Sequence, residues 1–329
     1  MYDFVLIDGY GVFVRYFYAL KFSFLQKYVE NKRHACYFFL RKIFSLKKHY
    51  NPKKIIVVGE KGAAVHKSYD KSYKAERAKL HPMYQQYDEK YGFTDQFNRL
   101  KQYLQIIPFT GFFISHGDEC DSVIGGMVQE IIQQSPTTSL LIMTFDNDFW
   151  QLLAYPQVNL LIKNKVLNQK NYERYIKLFK YVPPVSYPLY KAIKGDVVDN
   201  IKGVKGIGDR TLEKIFYTAW IEKKVLISPQ DLINFINSSM FLSLKIKQLL
   251  LQNLNIIEHN LPLVNLLNLS LLSLSGQVKI KQFVNTLFSD EAFNSSQSFE
   301  NKLRLKEMLH EDGFYFKNLE HPEEIVNKE

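Results

Sequence analysis

Two cysteines in 329 residues, Cys36 and Cys120, are too few for a disulfide framework or a thiolate zinc site. A secretion signal is also lacking: the start MYDFVLIDGY carries Asp3 and Asp8 where such a signal needs an unbroken apolar stretch. The most apolar window, Leu261 to Leu274, is interrupted by Asn265, Asn268, Ser270 and Ser273 and falls short of the length a bilayer needs. It reads as core or as a packing helix. Internal repeats and low-complexity tracts are missing as well. These absences argue against a secreted scaffold and a membrane protein, and an intracellular chain is expected.

What is present is a large apolar share, 46% of residues, enough for one large domain or two modest ones. Forty-three basic residues against thirty-three acidic ones leave a net charge of +10, which favours a polyanionic partner. Charge by itself is weak evidence for nucleic acid.

Short apolar runs at Phe4–Ile7, Ile55–Val58, Phe112–Ile114, Leu140–Met143 and Val158–Ile162 alternate with longer mixed segments. That rhythm predicts an α/β fold with a largely parallel sheet. Several runs end at acids: Asp8, Glu60, Glu119, and Asp146 with Asp148. Ligand sites of open α/β sheets lie at the carboxyl ends of the strands, so these acids are expected to converge.

Glu119 and Asp121 in GDECDS repeat the two-residue spacing of Asp146 and Asp148 in TFDND, where strand alternation puts both on one side. Asp196 and Asp199 in GDVVDN are three apart, neighbours on a helical turn. A single Asp is more often a helix cap or turn former. Eight carboxylates near one point repel one another strongly, and bound cations relieve that repulsion. Oxygen donors without histidine or thiolate favour magnesium or manganese over zinc. Two such ions can activate a water and stabilise the leaving oxygen of a phosphodiester. Cys120, between two of these acids, reads as a small buried residue and is left out of the site.

Between Lys67 and Tyr91 the chain is charged and aromatic, poor material for a core, and should project from the sheet as an arch spanning about 66–95. Lys67, Lys71, Lys74, Arg77 and Lys79 alternate with Tyr69 and Tyr73, and Tyr84, Tyr87 and Tyr91 follow. Cations of that kind meet phosphates while rings stack on unpaired bases; a solvated charged helix is the commoner fate of such a run. After Pro183 and Pro184, helical patterns bracket GVKGIG at 203–208, where Gly203, Gly206 and Gly208 permit a tight turn and Lys202, Lys205 and Arg210 flank it. Backbone amides in such a hairpin can approach a phosphate. The expected division is a nuclease-type domain at 1–182, a helical hairpin subdomain at 183–276 and a helical extension at 277–329 whose tail, HPEEIVNKE, frays.

In this order, IDG, GEKG, SYKAER, GDECDS, TFDND and GDVVDNIKGVKGIG resemble the 5′ nuclease or flap endonuclease family. The likeness is to stand-alone enzymes of tailed phages and to the 5′ nuclease domain of bacterial DNA polymerase I, and it spans about residues 3 to 260. The resemblance implies a PIN-like fold carrying a helical arch and a helix-hairpin-helix-type DNA-binding motif. It puts Asp8, Glu60, Glu119, Asp121, Asp146, Asp148, Asp196 and Asp199 on the metal positions, with two magnesium or manganese ions as cofactors. It makes Lys74 and Arg77 the cations at the scissile phosphate, with Tyr73 stacking near it and Arg15 close to the active site. Carbonyls of Val204 and Gly206 would hold a potassium ion while the hairpin amides face duplex phosphate.

Two positions depart from the family pattern: Ser122 stands where a further Asp is usual, and Glu60 where Asp is usual. The function implied is a structure-specific 5′ nuclease acting on branched or 5′-flap DNA, in replication or repair. RNA–DNA hybrids are further substrates, and a polymerase would be a separate partner because no segment is left for one. A cytoplasmic monomer of a bacterial or phage-infected cell is expected, with an organelle as the alternative location. The competing readings are a catalytically weakened junction-binding protein and an RNA-directed PIN-type nuclease.

Overall fold

The computed structural model describes residues 2–18, 32–289 and 299–314, without the side chains of 78–84, 87, 179, 299 and 300. The tail HPEEIVNKE and the side chains of Lys79, Tyr84 and Tyr87, singled out above, lie outside the described residues.

All five apolar runs are strands. They are β1 (Phe4–Asp8), β2 (Lys54–Lys61), β3 (Thr110–His116), β4 (Leu140–Met143) and β5 (Val158–Ile162), all parallel in the order β3-β2-β1-β4-β5. An antiparallel edge strand that the runs did not announce, β6 (Lys165–Leu167), pairs with β5. Because side chains alternate across a strand, Phe4, Leu6, Ile56, Val58, Leu140 and Ile142 enter one core layer. Val5, Ile7, Ile55, Val57, Leu141 and Met143 enter the other. Both faces are therefore covered, which is why the central strands β1, β2 and β4 read as unbroken apolar runs.

On the second of these faces pack α1 (Gly9–Phe17), α2 (His34–Tyr50) and, after the arch helices α3 (Ala64–Tyr69) and α4 (His81–Tyr91), α5 (Phe93–Ile106). On the first pack α6 (Cys120–Gln134) and the helices that follow the sheet. These are α7 (Tyr187–Lys194), α8 (Asp209–Ile221), α9 (Pro229–Ser238), α10 (Leu244–Gln252), α11 (Leu254–Val264) and α12 (Leu274–Phe288). Leu189, Phe216, Phe235 and Ile257 share one apolar cluster with the sheet residues, so the core runs on past residue 183.

The apolar window at 261–274 is indeed core, with Leu263, Val264, Leu266, Leu271 and Leu272 buried. It is not one helix: Asn265 and Asn268 accept backbone N–H groups of Leu267 and Ser270, local turns that compete with helix.

The last described helix, α13 (Phe299–Glu311), docks on α5 through buried Asp312. Its carboxylate accepts from Arg33 Nε at 2.9 Å, Arg99 Nε at 2.8 Å and the Tyr103 hydroxyl at 2.7 Å. Burial pushes this carboxyl up, but those three donors outweigh it and hold it below the usual aspartate range. A lowered pKa means stability that is fully present above the unfolded value near 4 and is lost as pH falls through the folded value. Asp312→Ala removes the carboxylate that Arg33, Arg99 and Tyr103 share, leaving Arg33 to Asp95 and Arg99 to Glu311, so it should cost about 2 kcal/mol at pH 7. Denaturant midpoints of both proteins at pH 7 and pH 3 check this. The gap should narrow at pH 3, and an equal gap at both values would contradict the assignment.

Candidate active site

The strand order reverses between β1 and β4, and the crevice at such a switch point is where α/β sheets bind ligands. Asp8 closes β1 at that point. Its Oδ1 accepts the Gly11 N–H at 3.0 Å, capping α1, and its Oδ2 accepts the Thr144 hydroxyl at 3.1 Å across the switch. A Cβ on Gly11 would stand 2.3 Å from Asp8 Oδ2, so the glycine in IDGYG is what lets the cap form.

Glu60, next to last in β2, reaches the start of α6, where its Oε2 accepts the Cys120 N–H at 3.3 Å. The longer arm of Glu60 thus spans from one strand end to the neighbouring helix. Glu119 is the N-cap residue of α6 and Asp121 lies in its first turn. Ser122 donates its N–H to Asp121 Oδ1 at 2.6 Å. Cys120 is buried, its Sγ on the Val58 carbonyl and beside Asp8. Asp146 and Asp148 sit beyond the end of β4 on the turn into a 3-10 segment, Asn147–Ala154, where Asp146 Oδ1 accepts the Asp148 N–H at 2.9 Å.

Asp196 and Asp199 correct the expected helical turn. Gly195, at φ 78°, ends α7 and starts a two-stranded hairpin of β7 (Gly195–Asp196) and β8 (Ile201–Lys202). Backbone passes backbone there so closely that a Cβ on Gly203 would lie 2.0 Å from the Lys194 carbonyl. Gly203 therefore serves this packing. Buried Asn260 of α11 fixes the crossing by donating to the Ala192 and Lys202 carbonyls.

Electrostatic repulsion links all eight acids. Burial raises Asp8, Glu60, Asp121, Asp148 and Asp199 above the usual range. Neighbouring carboxylates add to it, from Asp146 on Asp8, Glu119 on Glu60 and Asp121, Asp146 and Asp196 on Asp148, and Asp196 on Asp199. Lys191 pulls Asp148 down, Lys74 and Arg77 pull Asp199 down, and nearby cations hold Glu119 and Asp196 below the usual range despite burial. Asp148 is pushed up to about 6.

Two lysines stand among these acids. Lys74 binds Glu119 directly and lies 3.8 Å from Asp199. Lys191, on α7, lies 2.5 Å from Asp148 and 2.7 Å from Asp196. Burial works against both ammonium groups, yet the carboxylates around them hold both pKa values above the usual lysine range. Arg77 pairs with Asp199 at 2.7 Å. With the lysines in these positions, no three His, Cys, Asp or Glu side chains among the described residues close on one point as a ready cage for an ion. The acids are gathered at one edge but divided into lysine-bridged sets.

Tyr73 corrects a further expectation. Its ring is buried, stacked on His66 at 5.1 Å, and its hydroxyl donates to Glu119 Oε2 at 2.6 Å. It orients an acid and is not free to stack on a base, because the chain turns inward at Lys74 (φ 53°), whose N–H donates to the Asp199 carbonyl. Tyr69 is exposed and stacks on His259. Lys67 and Lys71 are exposed on the arch base. Arg15 is exposed with its guanidinium over the Phe145 ring at 4.3 Å, beside Asp146.

In the hairpin, the Ile207 N–H donates to the Val204 carbonyl at 3.1 Å and Gly206 takes φ 90°, while Lys202, Lys205, Gly206, Gly208 and Arg210 are exposed. Lys191 and His66 were not found from sequence. The only signal for Lys191 was a lysine five residues before Asp196, which nothing in composition or spacing distinguishes from a surface lysine.

The sequence profile of the 5′-3′ exonuclease N-terminal, resolvase-like domain matches residues 3–177. A 5′-3′ exonuclease of Mycoplasmopsis pulmonis is 30% identical over 226 residues, 65% of this chain and 69% of that protein. A 5′-3′ exonuclease of Aquifex aeolicus is 30% identical over 212 residues, 63% of this chain and 66% of that one. DNA polymerase I of Chloroflexus aurantiacus is 27% identical over 211 residues, and the match spans 21% of that longer protein. Among solved structures, the T5 D15 protein co-crystallised with metal ions superposes with a TM-score of 0.67 at 20% identity, covering 86% of this chain and 98% of that one. The T5 D15 flap endonuclease in a complex with DNA and metal ions gives 0.65 at 20% identity with the same coverage. Its α/β sheet is thus PIN-like, and by the match across residues 3–177 together with the Mycoplasmopsis relative this chain belongs to the 5′-3′ exonuclease family.

Proposed function

We propose that the chain is a divalent-metal-dependent 5′ nuclease that hydrolyses phosphodiesters in branched or 5′-flap DNA. The observation that carries this is the electrostatic strain at the sheet's switch point: mutually repelling carboxylates, five of them raised by burial, beneath an arch that supplies Lys74 and Arg77.

The all-oxygen donor set suits magnesium or manganese. Asp8, Glu60, Glu119 and Asp121 would help hold one ion and Asp146, Asp148, Asp196 and Asp199 a second. Such ions supply Lewis acidity and a more acidic water when bound. The chain's own residues do the rest. Tyr73 and His66 fix Glu119. Lys74, released from Glu119, and Arg77, released from Asp199, turn to the negative charge that grows on the phosphate. Lys191 neutralises Asp148 and Asp196 until then.

The exposed face of the 203–208 hairpin, with Lys202, Lys205 and Arg210, grips duplex backbone, and a potassium ion on the Val204 and Gly206 carbonyls would brace it. The T5 flap endonuclease complex with DNA and metal ions supports the substrate class. RNA–DNA hybrids, a role in replication or repair, a separate polymerase and a cytoplasmic monomer complete the reading. Among the described residues no helix is long and apolar enough to cross a membrane.

Purified protein incubated with an end-labelled 5′-flap duplex should cut near the junction with magnesium or manganese and not with chelator. Binding without metal-dependent cleavage would leave a junction-binding protein instead. Asp148→Asn and Asp199→Asn should each lower the cleavage rate by at least about a hundredfold while leaving flap binding within a few-fold; full activity in both would overturn the proposed ligand set. Because Asp121 is buried among acids that raise it, Asp121→Asn should melt about 2 °C or more above wild type in chelator. A lower melting temperature for this variant would show that its charge is compensated within the protein.

A further inference from the structure

The arch, α1 and the acid hairpin enclose a cleft of about 910 Å³ walled by Tyr10, Val14, Phe17, Phe93, Arg77 and Val198. Its rings are held edge to face, Tyr10 on Phe93 at 5.9 Å and Phe17 on Phe93 at 4.9 Å. The rim on the acid side is the tip of the β7–β8 hairpin, where two β-branched apolar residues stand in solvent: Val197 is 94% exposed and Val198 72%.

Scattered exposed apolar residues need no explanation. These two lie between Asp196 and Asp199, and the tip that carries them is fixed from several sides. Asp196 Oδ1 accepts the Val198 N–H at 2.9 Å, and the Val197 carbonyl accepts the Asn200 N–H at 3.2 Å. Asn200 takes φ 60° and donates its side-chain amide to the Ser72 carbonyl at 2.8 Å, tying the tip to the base of the arch. Any polar residue would serve such a turn as well, so valine at both positions leaves apolar surface that the fold itself does not use. Val198 faces the ring-lined cleft; Val197, next in line, is outside it.

We propose that the Val197–Val198 tip packs against the nucleobase and sugar at the junction of single strand and duplex, and so selects which phosphodiester is presented to the acids. The assignment rests on the nuclease reading of the same site and adds to it the residues that set the cutting register. Val198 would flank the unpaired nucleotide entering the cleft, and Val197 the last stacked base of the duplex gripped by the 203–208 hairpin. Apolar contact with a base face reads no donor or acceptor pattern, so the tip acts on position and tolerates any base.

The test uses the full chain, a Val197→Ser/Val198→Ser variant and a Val197→Ile/Val198→Ile variant on a 5′-flap duplex. Products are resolved to single nucleotides under single-turnover conditions with magnesium. In a parallel arm without cleavage, 2-aminopurine at the junction reports unstacking in calcium. The serine variant should lose about tenfold in preference for the principal cut over its neighbours, the size expected when two valines lose partial burial against a base and sugar. It should also lose the 2-aminopurine signal and melt as wild type does; the isoleucine variant should keep both preference and signal. Wild-type product distribution and signal in the serine variant would overturn the proposal. A wild-type chain that shows the tip-dependent signal but never cuts would overturn the nuclease reading and keep the tip, whereas no cutting and no tip-dependent signal would overturn both.

Discussion

Repulsion among carboxylates at the carboxyl edge of the sheet is the constraint on which the rest of this structure depends. Strand ends, a helix N-cap, a 3-10 turn and a glycine-cornered hairpin each deliver an acid to the same crevice. Several acids sit in surroundings that raise their pKa. A fold selected only for stability would not gather them. The structure answers with resident cations: Lys74 from the arch and Lys191 from the helical segment each bridge acids that belong to different elements. The same contacts that neutralise the site therefore also fasten the arch and the helices to the sheet.

On the proposed reading, that arrangement joins stability to function through exchange of partners. Ammonium groups that occupy carboxylate oxygens compete with divalent ions for them, and each lysine released is a cation free to meet phosphate. Tyr73 and His66 stay outside the exchange, because one donates to Glu119 from within the core and the other is stacked on its ring. The last described helix contributes at a distance. Asp312 gathers Arg33, Arg99 and Tyr103, and Arg33 also pairs with Asp95 in the first turn of α5, just past the end of the arch.

Much of the architecture was legible in the sequence because buried parallel strands must be apolar on both faces, and the runs beginning at Phe4, Ile55 and Leu140 are nothing else, with only Asn159 interrupting the one at Val158. Six of the acids stand at recognisable places, because Asp8, Glu60, Asp146 and Asp148 lie at the end of such a run or just past it and Glu119 with Asp121 opens a helix. What spacing alone could not supply was local geometry. Asp196 and Asp199, three apart, fit a helical turn as well as a hairpin, and the choice was made by Gly195 and Gly203, whose backbones touch across the turn. Tyr73 looked like its exposed neighbour Tyr69, and only the inward turn at Lys74 separates them. Lys191 gave no signal because its partner Asp148 is distant in sequence. The edge strand β6 was too short to register.

The claim that this crevice is built for divalent cations is tested most directly by the thermal stability of the wild-type chain across a titration with magnesium and with manganese, against a chelator baseline. A ligand that binds only the folded state raises stability with the logarithm of its concentration once above its dissociation constant. The melting temperature should therefore rise steadily with either ion and return to baseline on chelation. A melting temperature indifferent to both ions would contradict the account, since it would mean that Lys74 and Lys191 are the only cations this site accommodates.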